Sequence, residues 1–251
     1  MPRIIKTIIP RIKKSIRARG VLVSLSRSVL LPVHLFREYR AARRLVRDHW
    51  QSEFDRAYEV DTDGDFGGWT YLSDLSIPSP NWIHGNNYTG IDPERFSGIL
   101  AGVTIKFEDF VFIDFGSGKG RALLLASEFP FKRIVGVEFS PELHAAAVDN
   151  IRKYKTPLQH CNAVESVCMD FVDFHLPLEP CVLFFFDPCA DMVFEILLNN
   201  IERSFHEHPR EIYIVYVAPS PNLHLLDSAG FLLRLARNHK YDFSLYKTKN
   251  S

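Results

Sequence analysis

Carboxylates and glycines stand together in one stretch, Val111-Phe-Ile-Asp-Phe-Gly-Ser-Gly-Lys-Gly120, where an apolar run ends and a helical pattern begins. Gly116, Gly118 and Gly120 let the backbone turn sharply and approach a ligand that any Cβ would hold away. A side chain at residue 118, as in Gly118→Val, is expected to fill space that the ligand requires. Peptide N–H groups at the start of the following helix can bind an anionic group. Asp114 ends the apolar run, where its carboxylate can hold an ammonium directly or through water. Two other nucleotide loops fit less well. A Walker A loop needs Gly at position 113 and Ser or Thr at position 120, and the chain has Ile113 and Gly120. The dinucleotide pattern GxGxxG needs Gly where Arg121 stands. Taken alone, the glycines read equally well as a structural turn.

Further acidic residues recur at the ends of later apolar runs. Val135-Gly-Val-Glu-Phe139 places Glu138 beside the glycine loop, where a carboxylate can accept hydrogen bonds from two ribose hydroxyls, or stand solvated at a strand end. Cys168-Met-Asp-Phe171 offers Asp170 to an adenine amino group and Phe171 to the face of a base. The alternative is a helix cap followed by a core phenylalanine. Asp187, in Phe186-Asp-Pro-Cys189, can orient an amine or hydroxyl, accept its proton, or cap the next helix. Tyr88 either closes over the ligand or packs as a loop tyrosine.

Regular alternation must position these residues. Apolar runs at 111–115, 133–138, 165–170, 181–187 and 211–217 read as buried strands, with helical patterns at 121–128, 141–154 and 192–205 between them. Strand and helix in alternation give an α/β fold with a parallel sheet covered on both faces. Runs at 231–237 and 241–247, joined by Asn238-His239-Lys240, are too close for a helical crossover and form an antiparallel hairpin at the sheet edge. Upstream, Asp92-Pro-Glu94 starts a helix.

The order Asp-x-Gly-x-Gly-x-Gly, Glu138, Asp170, then Phe186-Asp187-Pro188-Cys189 resembles the class I S-adenosylmethionine-dependent methyltransferases over residues 88–247. Tyr88 behind a helix start, Asp-Phe-Gly-Ser-Gly-Lys-Gly, and Asp170-Phe171 look like the non-SET histone lysine methyltransferases. The series Gly-Ser-Gly-Lys-Gly-Arg and Val-Gly-Val-Glu-Phe-Ser is similar to uncharacterised bacterial methyltransferases. The histone-type family usually has Asn where this chain has Asp187. The resemblance implies a doubly wound, mostly parallel seven-stranded sheet, Rossmann-like, with the antiparallel C-terminal hairpin. It implies S-adenosylmethionine as cofactor, with Ser117 and the three glycines, Asp114, Glu138 and Phe139, Asp170 and Phe171, and Tyr88 around it. Methyl transfer to a nitrogen or oxygen of a protein lysine or small molecule follows, with Asp187 as the candidate catalytic group. Transfer is an in-line displacement at a sulfonium, so alignment and removal of water matter most.

The 251 residues are 46% hydrophobic, enough to bury one large core. Net charge is zero, yet residues 1–49 carry 13 Lys/Arg against Glu38 and Asp48, and the remainder is correspondingly acidic. Within that basic part, Ile4, Ile8 or Ile9, Ile12 and Ile16 recur at helical spacing, interrupted by Pro10. A further helical pattern covers residues 33–58. We therefore expect a basic helical N-terminal extension over 1–60, a connector or lid over 61–91 rich in turn formers, and the methyltransferase domain over 92–251. The basic segment suits an anionic membrane surface or nucleic acid, and a non-catalytic cofactor-binding or membrane-recruited module is the competing functional class. Cys161, Cys168, Cys181 and Cys189 have neither redox nor zinc spacing, and the ten histidines form no ligand cluster, so no metal is expected. The cysteines read as reduced core thiols of a cytoplasmic protein, peripheral to the membrane if the basic segment recruits it.

Overall fold

A computed structural model describes residues 52–65, 68–217 and 222–249. The compact units of the chain are Met1–Trp50 and Gln51–Ser251. The basic amphipathic segment and most of the helical pattern over 33–58 lie outside the described residues. Its last turns, α1 (Glu53–Tyr58), belong to the second unit, where Phe54 and Tyr58 pack on Tyr154 with ring centroids 5.9 and 4.8 Å away.

Seven strands form one sheet in the order β3-β2-β1-β4-β5-β7-β6. They are β1 (Val111–Phe115), β2 (Arg133–Glu138), β3 (Val164–Cys168), β4 (Cys181–Phe186), β5 (Ile212–Val217), β6 (Leu232–Asn238) and β7 (Phe243–Thr248). The first five are parallel, and β7 runs antiparallel between β5 and β6. Side chains alternate across the sheet with the period of two that strands impose. Ile113, Phe115, Leu183, Phe185 and Ile214 face α5 (Asp191–Glu207) and α6 (Leu223–Ser228), while Phe112, Ile134, Val182, Phe184 and Val215 face α2 (Pro93–Leu100) and α3 (Arg121–Ala126). Two cores thus back one sheet, which is why its strands read as continuous apolar runs.

Local signals set the helix starts. Asp92 accepts from Arg95 N at 2.9 Å ahead of Pro93, and Ser140 caps α4 (Pro141–Lys153) ahead of Pro141. The strand expected at 165–170 differs from expectation. It is an edge strand, half-exposed along its length, because no described strand pairs with its outer side. Cys168 is consequently exposed, whereas Cys161, Cys181 and Cys189 are buried. No helix among the described residues is long and apolar enough to cross a membrane.

Strand order reverses direction between β1 and β4. Open α/β sheets leave a crevice at the carboxyl ends of the strands beside such a reversal. Asp114, Glu138, Asp170 and Asp187 all lie at that edge.

Candidate functional site

A cleft with about 860 Å³ of empty space, counted to its open mouth, occupies this crevice. Every acidic residue singled out in the sequence lines it, together with Gly116, Ser117, Phe139, Phe171 and Tyr88. The loop after β1 takes the left-handed backbone at Gly116, Gly118 and Gly120, with φ of 81°, 55° and 85°.

Glu138 is 3% exposed, and its carboxylate braces that loop. Gly118 N donates to one oxygen and Ser140 N to the other, each at 2.8 Å. A carboxylate oxygen has two lone pairs, so each keeps one for a ligand. Burial pushes this carboxyl up to about 7, against the opposing pull of the backbone N–H groups of Ser140, Gly118 and Phe139. Asp114 is equally buried and no chain hydrogen bond draws its titration down; burial and the neighbouring Glu138 charge push it up to about 8. Ser117 Oγ, beside them, is buried without a hydrogen-bond partner. Two raised carboxyls and an orphaned hydroxyl on one wall form a site built for donors and positive charge.

The other candidates are already engaged. Asp170 caps the short turn of 3-10 helix Phe171–Asp173 through Val172 N, as the capping alternative required, and also accepts from Ser79 Oγ and Asn81 Nδ2 of the connector. Its Oδ2 is therefore taken by the connector. Phe171 packs edge-on against Phe115 and still lines the cleft. The Tyr88 hydroxyl donates to the Thr62 carbonyl at 2.6 Å, and its ring lies against Gly118. Asp187 does not cap α5, whose first turn follows Ala190 with no side-chain cap. It takes φ of +44°, accepts at Oδ1 from the Tyr216 hydroxyl at 2.9 Å, and its carbonyl accepts from Asn86 Nδ2 at 2.7 Å. Asp tolerates this backbone region better than most residues, and such strain at a cleft persists only where neighbours hold it.

Sequence reasoning missed a buried ionic latch between the connector and the glycine loop. Arg121, 6% exposed, donates to Thr62 Oγ1, Asp55, Asp63 and Ser52 Oγ. Lys119 reaches Asp61 at 3.2 Å, the Asp63 carbonyl at 2.7 Å and Asp65 at 3.4 Å. Asn150 Nδ2 donates to the carbonyls of Asp61 and Lys119, both at 2.9 Å. The two cations of the motif are thereby spent on the protein's own carboxylates, so neither serves a phosphate. The one available signal was Asp61-x-Asp63-x-Asp65, read only as turn formers. Among the described residues no group of His, Cys, Asp or Glu could hold a metal ion.

No protein-family model and no curated protein matches the chain. Solved structures do. An RNA methyltransferase from Salinibacter ruber in complex with S-adenosyl-L-homocysteine is 16% identical, with 64% of this chain and 92% of that one covered and a TM-score of 0.43. The 23S rRNA methyltransferase ErmE is 13% identical, covering 64% and 69%, at 0.43. A protein of the NADB-Rossmann superfamily from Streptococcus agalactiae is 10% identical, covering 63% and 68%, at 0.45.

Proposed function

We propose that the chain is a class I S-adenosylmethionine-dependent methyltransferase acting on a nitrogen or oxygen acceptor. The observation that carries this reading is Asp114, a buried carboxyl lining the cleft beside the glycine loop, where neither an ion pair nor a hydrogen bond lowers its pKa. A cofactor bearing an ammonium meets this need, because the ammonium pairs with Asp114. A dinucleotide pyrophosphate would instead bring two negative charges to a loop whose two cations, Lys119 and Arg121, are already neutralised.

The remaining groups fit the rest of such a ligand. Glu138 keeps one lone pair on each oxygen for a pair of ribose hydroxyls. Ser117 Oγ supplies a further polar contact that the chain leaves unmade. Phe139 and Phe171 offer faces for a base. Asp170 contributes through Oδ1 and by fixing the connector, since its Oδ2 is occupied. When bound, S-adenosylmethionine supplies an electrophilic methyl group on a sulfonium. Asp187 then orients the acceptor N–H or O–H, and the apolar walls from Phe184 and Phe186 exclude water.

Calorimetric titration of wild type and Asp114→Asn with S-adenosylmethionine tests this. Wild type binds, and Asp114→Asn loses affinity by about tenfold or more, as expected for one charge-assisted contact. Equal affinity of both folded proteins removes the ammonium assignment and the reading with it.

A further inference from the structure

Tyr216 stands on β5 with its ring fully buried, packed against Phe185 and Phe194 at centroid distances of 6.0 and 5.3 Å. Its hydroxyl reaches the carboxyl edge of the sheet and donates to Asp187 Oδ1. Asn222 Nδ2 lies 2.8 Å from that hydroxyl and 2.8 Å from the Cys189 carbonyl oxygen. A carbonyl only accepts, so the amide atom facing it is nitrogen. The same nitrogen donates to Tyr216, which directs the phenolic proton to Asp187. Hydrogen bonds thus run one way, from Asn222 through Tyr216 to the carboxylate.

The backbone under Asp187 is held from the opposite side. Asn86 N donates to the Pro188 carbonyl at 3.0 Å and Asn86 Nδ2 to the Asp187 carbonyl, while Gly85 bridges Cys189. The Asp187 and Pro188 carbonyls each accept one of these bonds, which fixes the turn beneath the side chain. Asp187 Oδ2 has no partner among the described residues, and Asp187 lines the cleft.

We propose that Tyr216 is a positioning residue for Asp187: it holds one carboxylate oxygen so that the other faces the place of the transferred methyl group and receives the acceptor's N–H or O–H. The proposal rests on the methyltransferase reading. It restricts the acceptor to a hydrogen-bond donor, an amine or hydroxyl, because the group that meets it at this turn is a carboxylate oxygen. A buried phenol that merely satisfies its own hydroxyl would have consequences for stability alone.

Sinefungin separates these outcomes, because it carries a protonated amine where S-adenosylmethionine carries its sulfonium methyl. Both ligands are titrated calorimetrically into the full chain and into variants whose folding is checked by thermal unfolding. In Tyr216→Phe the affinity for S-adenosylmethionine stays within about twofold, while preference for sinefungin falls about three- to tenfold, the size of one hydrogen bond. Asp187→Asn lowers that preference by about tenfold or more, and adding Tyr216→Phe to it lowers it no further. Asn222→Ala keeps the phenol but frees its proton, gives a smaller fall in the same direction, and replaces Tyr216→Phe if that variant does not fold. An unchanged preference in Tyr216→Phe or in Asp187→Asn overturns the proposal with the methyltransferase reading intact. Failure of wild type to bind S-adenosylmethionine overturns both.

Discussion

The ring of Tyr88 fills the space into which a side chain at residue 118 would grow: a Cβ built on Gly118 falls 2.0 Å from the ring's Cδ2 and Cε2. The backbone there has φ of +55°. Substitution at Gly118 therefore acts first on Tyr88, and the expectation that a side chain would directly fill the ligand's space is replaced by an indirect route. Gly118→Ala should lower stability by about 2 kcal/mol or more, from left-handed strain of about 1–2 kcal/mol and displacement of the ring. Combined with Tyr88→Ala the clash disappears, so urea unfolding should show the double variant more stable than additivity by at least about 1 kcal/mol. Strict additivity would mean that the two residues do not touch in solution.

Arg121 is the centre of the latch, and Asp55 beside it is 1% exposed. Removing one member of a buried pair leaves the other charged and dry, at a cost of about 3–5 kcal/mol. Arg121→Met should show this loss near pH 7. The loss should shrink as pH falls toward 4, because burial already raises the Asp55 carboxyl and protonation relieves it. A loss independent of pH would place the destabilisation elsewhere.

The unliganded protein should lose stability as pH rises from about 4 to about 8. Folded Asp114 keeps its proton up to about 8, whereas the unfolded carboxyl loses it near about 3.9. The folded state therefore binds more protons across that window, and stability falls through it. Glu138, raised to about 7, adds to the slope in the same direction. Urea midpoints between pH 4.5 and 8.5 should flatten in Asp114→Asn. A slope unaltered by that substitution would assign it to other groups.

Glu138 also braces Gly118 N and Ser140 N, so Glu138→Gln, whose amide oxygen keeps one of the two braces, tests the ribose assignment better than removal of the whole side chain, which loses both. Affinity for S-adenosylmethionine should fall by about 1–3 kcal/mol. An analogue lacking both ribose hydroxyls should bind wild type and variant about equally. Continued discrimination by the variant, as strong as in wild type, would move the ribose away from Glu138.

Much of this was legible because the chemistry sits at the ends of strands that are apolar on both faces. β1 and β2 fall where their runs predicted, and β4 and β5 begin or end within a residue of expectation. Glu138 was legible because one local strand carries it beside a loop marked by its glycines. The latch was not, because Arg121 meets Asp55 and Asp63 across 66 and 58 residues of chain, and carboxylates in a turn-rich segment read as solvated. Tyr216 was hidden differently: in Ile-Tyr-Ile-Val-Tyr-Val it reads as core, and only the fold shows that its hydroxyl emerges at the sheet edge. The edge position of β3 depends on strand order, which apolar periodicity does not encode.

Equilibrium binding of S-adenosylmethionine and NAD to the full chain, measured side by side by calorimetry at pH 7 and pH 8.5, decides which cofactor the cleft takes. Saturable binding of S-adenosylmethionine is expected, with protons released at pH 7 as the ammonium draws Asp114 into its ionised form, and no binding of NAD. Saturable binding of NAD with none of S-adenosylmethionine would contradict it.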